Sequence, residues 1–426
     1  MRSGGLKVLH VSYTAQAGGA AIAMHRLHSA LGKIGVQSEI LAIHTGEPED
    51  PTILKAFSGA GLFWARVAAR LGALSSRLRA DPDSHGCSVN VLPNGMAAAI
   101  AKHSPDVVHL HWVGANTLAI RDLRRIVSPM VWTLHDMWPF CGAEHYSFSD
   151  RWQTGYLQKQ KKPSPQWLDV DALTYRLKRR AWRGVSIDTV APSTWMRDCA
   201  ASAALWRGSE CVRHHVIGNG LPLDVFVPQD QTACRARFEI PQNATVILFG
   251  AQYCEDRIKG GDLLAAALPA VKLPDQNICA VTFGAGPATP SNTSGGVSRI
   301  HLGTINDSAR LAQVYNCADI MVVPSRIESF CQTASEAQAC GVPVVCFDAT
   351  GLRDVVDHEV TGYRAQPYDP MGIAHGIEWC LLNRGRHGSL KTAARARAEQ
   401  LFSDSMMARC YAKLYAQILD RRPCPR

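Results

Sequence analysis

The chain is short of charge and of aromatic rings: of its 426 residues, 19% are Asp, Glu, Lys or Arg and 7% are Phe, Trp or Tyr. Beside a hydrophobic content of 46%, that scarcity excludes a disordered chain and calls for well-buried cores. No uncharged apolar run reaches the roughly 18 residues of a membrane-crossing helix. After Met1-Arg2-Ser3-Gly4-Gly5 the chain moves straight into the strand-like Val8-Leu9-His10-Val11, with no apolar leader. A cytosolic protein is the expectation. Internal repeats and low-complexity blocks are missing, which excludes repeat architectures. Also missing is any Cys-x-x-Cys pair among the fourteen cysteines. Several of these sit inside apolar stretches, such as Cys279 in Ile278-Cys279-Ala280-Val281 and Cys346 after Val344-Val345. Buried reduced thiols are therefore expected, with neither a zinc site nor a disulfide framework.

What is present is length enough for two cores and a repeated strand–helix grammar. Strands are predicted at 7–12, 36–43, 107–111, 130–134 and 188–191, with a helix over Ala20–Leu31 and Ser193 as the cap of another. The grammar restarts with strands at 245–250, 278–283, 320–324 and 342–346, and helices at 261–270, 311–316 and 335–339. Strands alternating with helices predict parallel sheets covered on both faces, an α/β doubly wound architecture in two domains. The turn-rich Ile217-Gly218-Asn219-Gly220-Leu221-Pro222 marks the join. Ligands of such sheets bind outside the carboxyl ends of the strands.

Three sites in that frame carry chemistry. Glu328-Ser329-Phe330-Cys331-Gln332-Thr333-Ala334-Ser335-Glu336 sets two glutamates eight positions apart across a loop-to-helix junction. The junction offers backbone N–H groups for phosphate or sugar oxygens. Glu328 is placed to accept from sugar hydroxyls and Glu336 to reach a ribose diol. Gly18-Gly19 ends a strand and opens a helix, so backbone amides there approach a diphosphate with no Cβ in the way. Lys259, ahead of Gly260-Gly261 at a helix start, is a compact charge suited to a leaving diphosphate.

At this point the chain resembles the retaining, nucleotide-sugar-dependent glycosyltransferases of family 4, whose signature is E-x7-E followed by E-A-x-A-x-G-x-P-V-V. Here that pattern reads Glu336-Ala337-Gln338-Ala339-Cys340-Gly341-Val342-Pro343-Val344-Val345 after Glu328. The likeness continues through Pro105 to His111, Thr133-Leu134-His135-Asp136, Asn219-Gly220, Lys259-Gly260, Val360-Thr361-Gly362-Tyr363 and the closing segment Phe402–Tyr415. The resemblance implies a GT-B fold, two Rossmann-like domains facing each other across a cleft: 1–217 on the acceptor side, 218–401 for the nucleotide sugar, and 402–426 returning to the first domain.

It also implies roles. Glu328, His135 and Lys259 form the catalytic set. Gly18, Gly19, Arg257, Lys259, Ser329, Phe330, Cys331 and Glu336 bind the donor, and His111 and Trp138 lie on the acceptor side. The family's usual Glu after the small residues is Ala21 here. Its usual arginine upstream of the lysine is replaced by Gln252 or Tyr253, so either Arg257 substitutes or one cationic contact is missing. The region after His135-Asp136-Met137-Trp138 keeps a single cysteine, Cys141, which argues against zinc. Asp169-Val170-Asp171 has D-x-D letters but reads as part of a Pro- and Lys-rich loop. A metal-independent enzyme without cofactor is thus expected, using a nucleotide diphosphate sugar.

The expected acceptor is a glycan or lipid-linked glycan of bacterial surface polysaccharide. The alternatives are a small-molecule or protein acceptor and, further off, a non-catalytic nucleotide-binding protein. A dinucleotide enzyme is disfavoured because Gly18-Gly19 is not G-x-G-x-x-G. A nucleic-acid partner is disfavoured by the lack of an aromatic–basic motif. Finally, 45 basic residues oppose 36 acidic ones, and two basic segments stand out. Phe63–Arg79 carries Arg66, Arg70, Arg77 and Arg79 beside Leu62, Phe63, Trp64 and Leu71. Tyr175–Arg183 carries Arg176, Lys178, Arg179, Arg180 and Arg183. Both suggest docking on anionic lipid at the inner face of the cytoplasmic membrane.

Overall fold

The computed structural model describes residues 5–46, 50–76, 86–157, 169–274, 277–294 and 297–421. The chain divides into two compact units, one of Met1–Ile217 with Met407–Arg426 and one of Gly218–Met406. In the first, β1 (Lys7–Thr14), β2 (Gln37–His44), β3 (Ile53–Lys55), β4 (Val107–Leu110), β5 (Met130–Thr133), β6 (Ile187–Ala191) and β7 (Val212–Val216) form one sheet. Its order is β3-β2-β1-β4-β5-β6-β7, parallel throughout. The central strands β4, β5 and β6 are wholly buried, because helices cover both faces of such a sheet. The two-residue period sorts their side chains. Leu9, Val11, Val108, Leu110 and Trp132 enter one core. Val8, Val107 and Val131 enter the other, against Leu27 and Leu31 of the helix Gly19–Lys33 and Tyr411 and Tyr415 of the helix Asp404–Leu419.

The second unit has β8 (Thr245–Gly250), β9 (Ile278–Phe283), β10 (Thr289–Ser294), β11 (Val297–His301), β12 (Ile320–Val323), β13 (Val344–Phe347) and β14 (Gly362–Ala365). Their order is β10-β11-β9-β8-β12-β13-β14, parallel except for the antiparallel β10–β11 pair. The edge strands β3, β7 and β14 escape the sequence reading because they are short and half-buried, with no apolar run to announce them. The helix expected over 261–270 stops at Ala267 and tightens into a 3-10 turn, Leu268–Ala270. Pro269 has no N–H to continue the α-helical ladder. Ser193 caps its helix as expected, its Oγ accepting from Met196 N–H at 3.2 Å.

Three expectations need correction. Asp169-Val170-Asp171 is not loop: Asp169 caps the helix Val170–Ala181 by accepting from Ala172 N–H, and Asp171 is buried in the first turn. Among the cysteines, Cys141, Cys279, Cys317 and Cys346 are buried free thiols, but Cys211 is disulfide-bonded.

The third correction concerns the basic segments. Lys178 does not belong to a docking face: its side chain is fully buried. Its ammonium donates to the carbonyl oxygens of Trp138, Cys141 (3.2 Å) and Gly142 (2.7 Å) and lies 3.7 Å from the centroid of the Trp138 ring. Charge density alone cannot tell a solvated lysine from one recruited to cap buried carbonyls. Arg176, Arg179 and Arg180 are exposed, as are Phe63, Trp64 and Leu71 on the helix Gly59–Ser76, while Arg77 and Arg79 lie outside the described residues. Among the described residues, no helix is long and apolar enough to cross a membrane. Lys178→Met should lower unfolding stability by about 3 kcal/mol, since it leaves three buried carbonyls unpaired. A urea midpoint close to wild type would mean that the ammonium is not a structural cap.

Candidate active site

In the second unit the sheet order reverses between β8 and β12, which makes the carboxyl ends of these neighbours the natural ligand position. Lys259 follows β8, at the end of the 3-10 turn Arg257–Lys259. Glu328 follows β12, and the helix Gln332–Ala339 comes soon after. The two side chains meet, Lys259 Nζ donating to Glu328 Oε1 at 2.8 Å. The lysine side chain remains 32% exposed and the glutamate 9%, so the pair lies at a boundary with its cation turned toward solvent.

The backbone around them explains the meeting. Asp256 caps the 3-10 turn, accepting from Ile258 N–H at 2.9 Å. Gly260 has φ +71°, and a Cβ there would stand 1.9 Å from the Pro324 carbonyl oxygen; only glycine lets this loop lie so close to the end of β12. Arg326 then stitches the loops together. Its N–H donates to Ile258 O at 2.7 Å, and its guanidinium donates to Arg257 O at 2.6 Å and to both Asp262 oxygens at 2.8 and 2.7 Å. That hydrogen-bonded guanidinium holds the Asp262 carboxyl below its usual range. Glu328 is pinned from the other side: its N–H donates to Thr350 Oγ1 at 3.2 Å and its carbonyl accepts from Gly351 N–H at 2.9 Å.

The neighbouring residues fare differently. Glu336 is buried on the helix Gln332–Ala339, and its Oε2 accepts the hydroxyl of the buried Tyr315 at 2.7 Å. The Phe330 ring is core, edge-on to Phe402 at 5.6 Å, so a ligand contact from this residue would come from its backbone. Cys331 sits at the helix start with φ +88°, a strained conformation for a residue with a Cβ. Burial pushes its thiol up to about 12, which makes it no nucleophile. Arg257 is exposed beside Lys259 and Ser329 is half-buried beside Glu328.

The first unit holds the remaining candidates. Gly18, with φ +88°, precedes the helix Gly19–Lys33, whose N-terminus has no side-chain cap and no acidic residue in its first turn. His135 follows β5 and is half-buried; burial pushes its imidazole down to about 4. Its Nε2 meets His111 Nδ1 at 2.9 Å. His111, His135 and the buried Trp138 line a recess with Trp112, Asp136 and His145. The recess has a volume of about 10 Å³, room for about one water. Asp136, His145 and Ser88 are linked at 2.5 and 2.8 Å, the connectivity of a hydrolytic triad. Ser88, however, is buried and its oxygen accepts Ala115 N–H at 2.9 Å, so the relay ties chain segments together. The nitrogens of His10, His109 and His111 lie within 4.8 Å of one another. Both nitrogens of His109 are already engaged, by Tyr415 and Thr133 hydroxyls, so as a metal ligand it would first have to give one up.

Comparison with known proteins bears directly on this arrangement. Residues 17–225 match the model of Glycosyltransferase Family 4, and residues 244–383 match that of Glycosyl transferases group 1. The chain belongs to glycosyltransferase family 4. Among curated relatives, a D-inositol 3-phosphate glycosyltransferase of Xylanimonas cellulosilytica is 29% identical over 435 residues, covering 96% of this chain and 94% of the relative. Among solved structures, HepE from Anabaena in complex with UDP-glucose aligns with 97% of this chain and 100% of its own, with a TM-score of 0.65 at 17% identity. Sucrose-phosphate synthase from Thermosynechococcus elongatus covers 97% and 99%, with a TM-score of 0.65 at 20% identity. The fold is therefore GT-B, and this family 4 chain is a glycosyltransferase.

Within the family 4 frame, Lys259 and Glu328 share one unit, and Gly18, Gly19, His111, His135 and Trp138 share the other. Sequence reasoning missed Arg326, Asp262 and Thr350, which hold the Lys259–Glu328 pair without belonging to it. Their only signal was position, Arg326 and Thr350 directly after β12 and β13 and Asp262 in the first turn of the helix that follows Lys259. Asp262 is 57% exposed, so Asp262→Ala should cost less than about 1 kcal/mol of stability. It should nevertheless lower kcat about tenfold by loosening the Lys259 loop. Unchanged kcat in this variant would show that the Arg326–Asp262 fork does not position the lysine.

Proposed function

We propose that this glycosyltransferase moves a sugar from a nucleotide diphosphate sugar to a hydroxyl of a small, polar acceptor, with retention of the anomeric configuration. The observation that carries the donor side is the Lys259–Glu328 pair at the β8/β12 switch point. As the bond between the anomeric carbon and the diphosphate oxygen breaks, negative charge grows on the leaving diphosphate. Lys259 and the amides of the Cys331–Thr333 helix start are the groups that meet it. Glu328 accepts from sugar hydroxyls, and Glu336 lies on the ribose side. The acceptor oxygen forms the new bond and its proton leaves on the departing diphosphate, so no covalent nucleophile is assigned. In the other unit, Gly18-Gly19 offers backbone to the phosphates, and His135 contacts the sugar.

A small acceptor is favoured over a glycan of surface polysaccharide by the relatives named D-inositol 3-phosphate glycosyltransferase. It is also favoured by Arg66, whose charge acts on Tyr13 and His44 at the carboxyl ends of β1 and β2, where an anionic group would find a partner. Tyr13 stands edge-on to His44 at 4.8 Å and to Trp112 at 5.7 Å, giving ring surfaces beside that charge. Peripheral contact with anionic membrane would draw on the exposed Phe63, Trp64 and Leu71 beside Arg66 and Arg70 and on the exposed Arg176, Arg179 and Arg180, and a soluble acceptor does not require it.

The test is turnover with UDP-, GDP- and ADP-sugars, with inositol 3-phosphate and an oligosaccharide as rival acceptors. Glu328→Gln and Lys259→Ala should each lower kcat by about 100-fold or more with stability little changed. Excess EDTA should leave turnover unaltered, because Lys259 and backbone amides supply the counter-charge. A strict Mg²⁺ or Mn²⁺ requirement would contradict this account of the leaving group, and turnover on the oligosaccharide alone would return the acceptor to the glycan reading.

A further inference from the structure

One face of the first sheet carries a lane of imidazoles through an otherwise apolar core. His10 on β1 is the register partner of His109 on β4, with His111 two residues further on. Thr133 and His135 follow on and after β5, again two apart, so all five side chains share a face. His10, His109 and His111 are buried, and His135 is half-buried at the lane's end. Three of the rings form a chain: His10 Nδ1 lies 2.9 Å from His111 Nε2, and His111 Nδ1 lies 2.9 Å from His135 Nε2. His109 is not a link in it, because Tyr415 and Thr133 hydroxyls occupy its nitrogens at 2.7 Å each. His28 of the helix Gly19–Lys33 faces His10 edge-on at 6.2 Å, with His25 behind it; His28 binds Ser38 and Thr52 and carries the Asp50 carboxylate 3.7 Å from its Nε2, on the side away from the chain of three.

A neutral imidazole has one N–H and one bare nitrogen, so a chain of three admits only two polarities. We propose that His10 and His111 are positioning residues that hold His135 in the tautomer protonated on Nδ1, so that it meets the substrate as a hydrogen-bond donor and never as a base. The buried end of the chain decides the direction. His10 Nε2 is buried with no hydrogen-bond partner. An orphaned buried N–H is rarer and costlier than an unpaired acceptor, so Nε2 is bare and the His10 proton is on Nδ1. His10 Nδ1–H then donates to His111 Nε2, and His111 Nδ1–H donates to His135 Nε2. The His135 proton is left on Nδ1, for which no hydrogen bond is found among the described residues. Neutrality of the chain agrees with burial, which drives all three imidazoles to low pKa.

The catalytic meaning rests on the proposed site, in which His135 touches the sugar; the tautomer itself does not. Nitrogen-15 NMR of the full-length histidine-labelled protein should show His135 protonated on Nδ1. His10→Leu removes the terminal donor, and His135 should then populate the Nε2–H form, with kcat falling about tenfold and donor KM nearly unchanged. His10→Asn keeps an amide N–H where Nδ1–H stood, so it should restore both tautomer and kcat, which a purely structural role for His10 would not require. A wild-type His135 protonated on Nε2 overturns the lock, even if His10→Leu fails to fold. Stoichiometric Zn²⁺ uptake that moves the His10 and His111 resonances overturns it as well, in favour of a metal site. If the tautomer shifts in His10→Leu while kcat stays at wild type, the placement of His135 at the substrate is wrong. That result would leave the Lys259–Glu328 reading standing.

Discussion

The ion pair between Lys259 and Glu328 is the contact that the second unit is arranged to maintain. A half-buried pair of this kind contributes little to stability, because the desolvation of both charges offsets their attraction. Yet Gly260 accepts a left-handed backbone to bring the loops together, Arg326 fastens one loop to the other, and Thr350 and Gly351 hold the Glu328 backbone. So much support for so weak a pair is understood if the pair keeps a cation extended and ready. Without donor, Glu328 balances the lysine. In the proposed reaction, the donor's diphosphate, carrying more charge than one carboxylate, would compete for the same ammonium, and the lysine would need to move little to meet it.

The first unit solves a different problem. Buried histidines are costly unless their nitrogens are satisfied, and the lane from His10 to His135 runs through the middle of a sheet. Part of the solution comes from the far end of the chain: Tyr415 binds His109, and Tyr411 binds Thr133 at 2.8 Å. The helix Asp404–Leu419 thus supplies hydroxyls to a polar lane as well as apolar area to the core. Below the lane Val8, Val107 and Val131 are aliphatic; above it lies the recess at His135. The sheet therefore grades from apolar to polar toward its carboxyl ends, the side on which α/β sheets as a class take their ligands.

Much of this was legible in the chain as letters. The alternation of apolar runs with helical periodicity shows both sheets, and Glu328 and Lys259 stand out because each follows a buried strand at a loop-to-helix junction. What escaped depends on partners remote in sequence. Nothing local distinguishes Lys178 from the exposed Arg179 beside it; only the fold brings the carbonyls of Trp138, Cys141 and Gly142 to its ammonium. His10 and His111 are 101 positions apart, and their pairing follows from the parallel register of β1 and β4. The Arg326–Asp262 fork spans 64 positions and exists because β8 and β12 are neighbours despite the strands between them in sequence.

The central claim is that Lys259 is the counter-charge for the departing diphosphate. Calorimetric titration of wild type and Lys259→Ala tests it most directly, using whichever of UDP, GDP or ADP binds the wild type best, together with the matching monophosphate. The account predicts that the substitution raises the diphosphate Kd at least tenfold, about 1.4 kcal/mol, while the monophosphate Kd stays where it was. Equal losses for both nucleotides, or none for either, would contradict it.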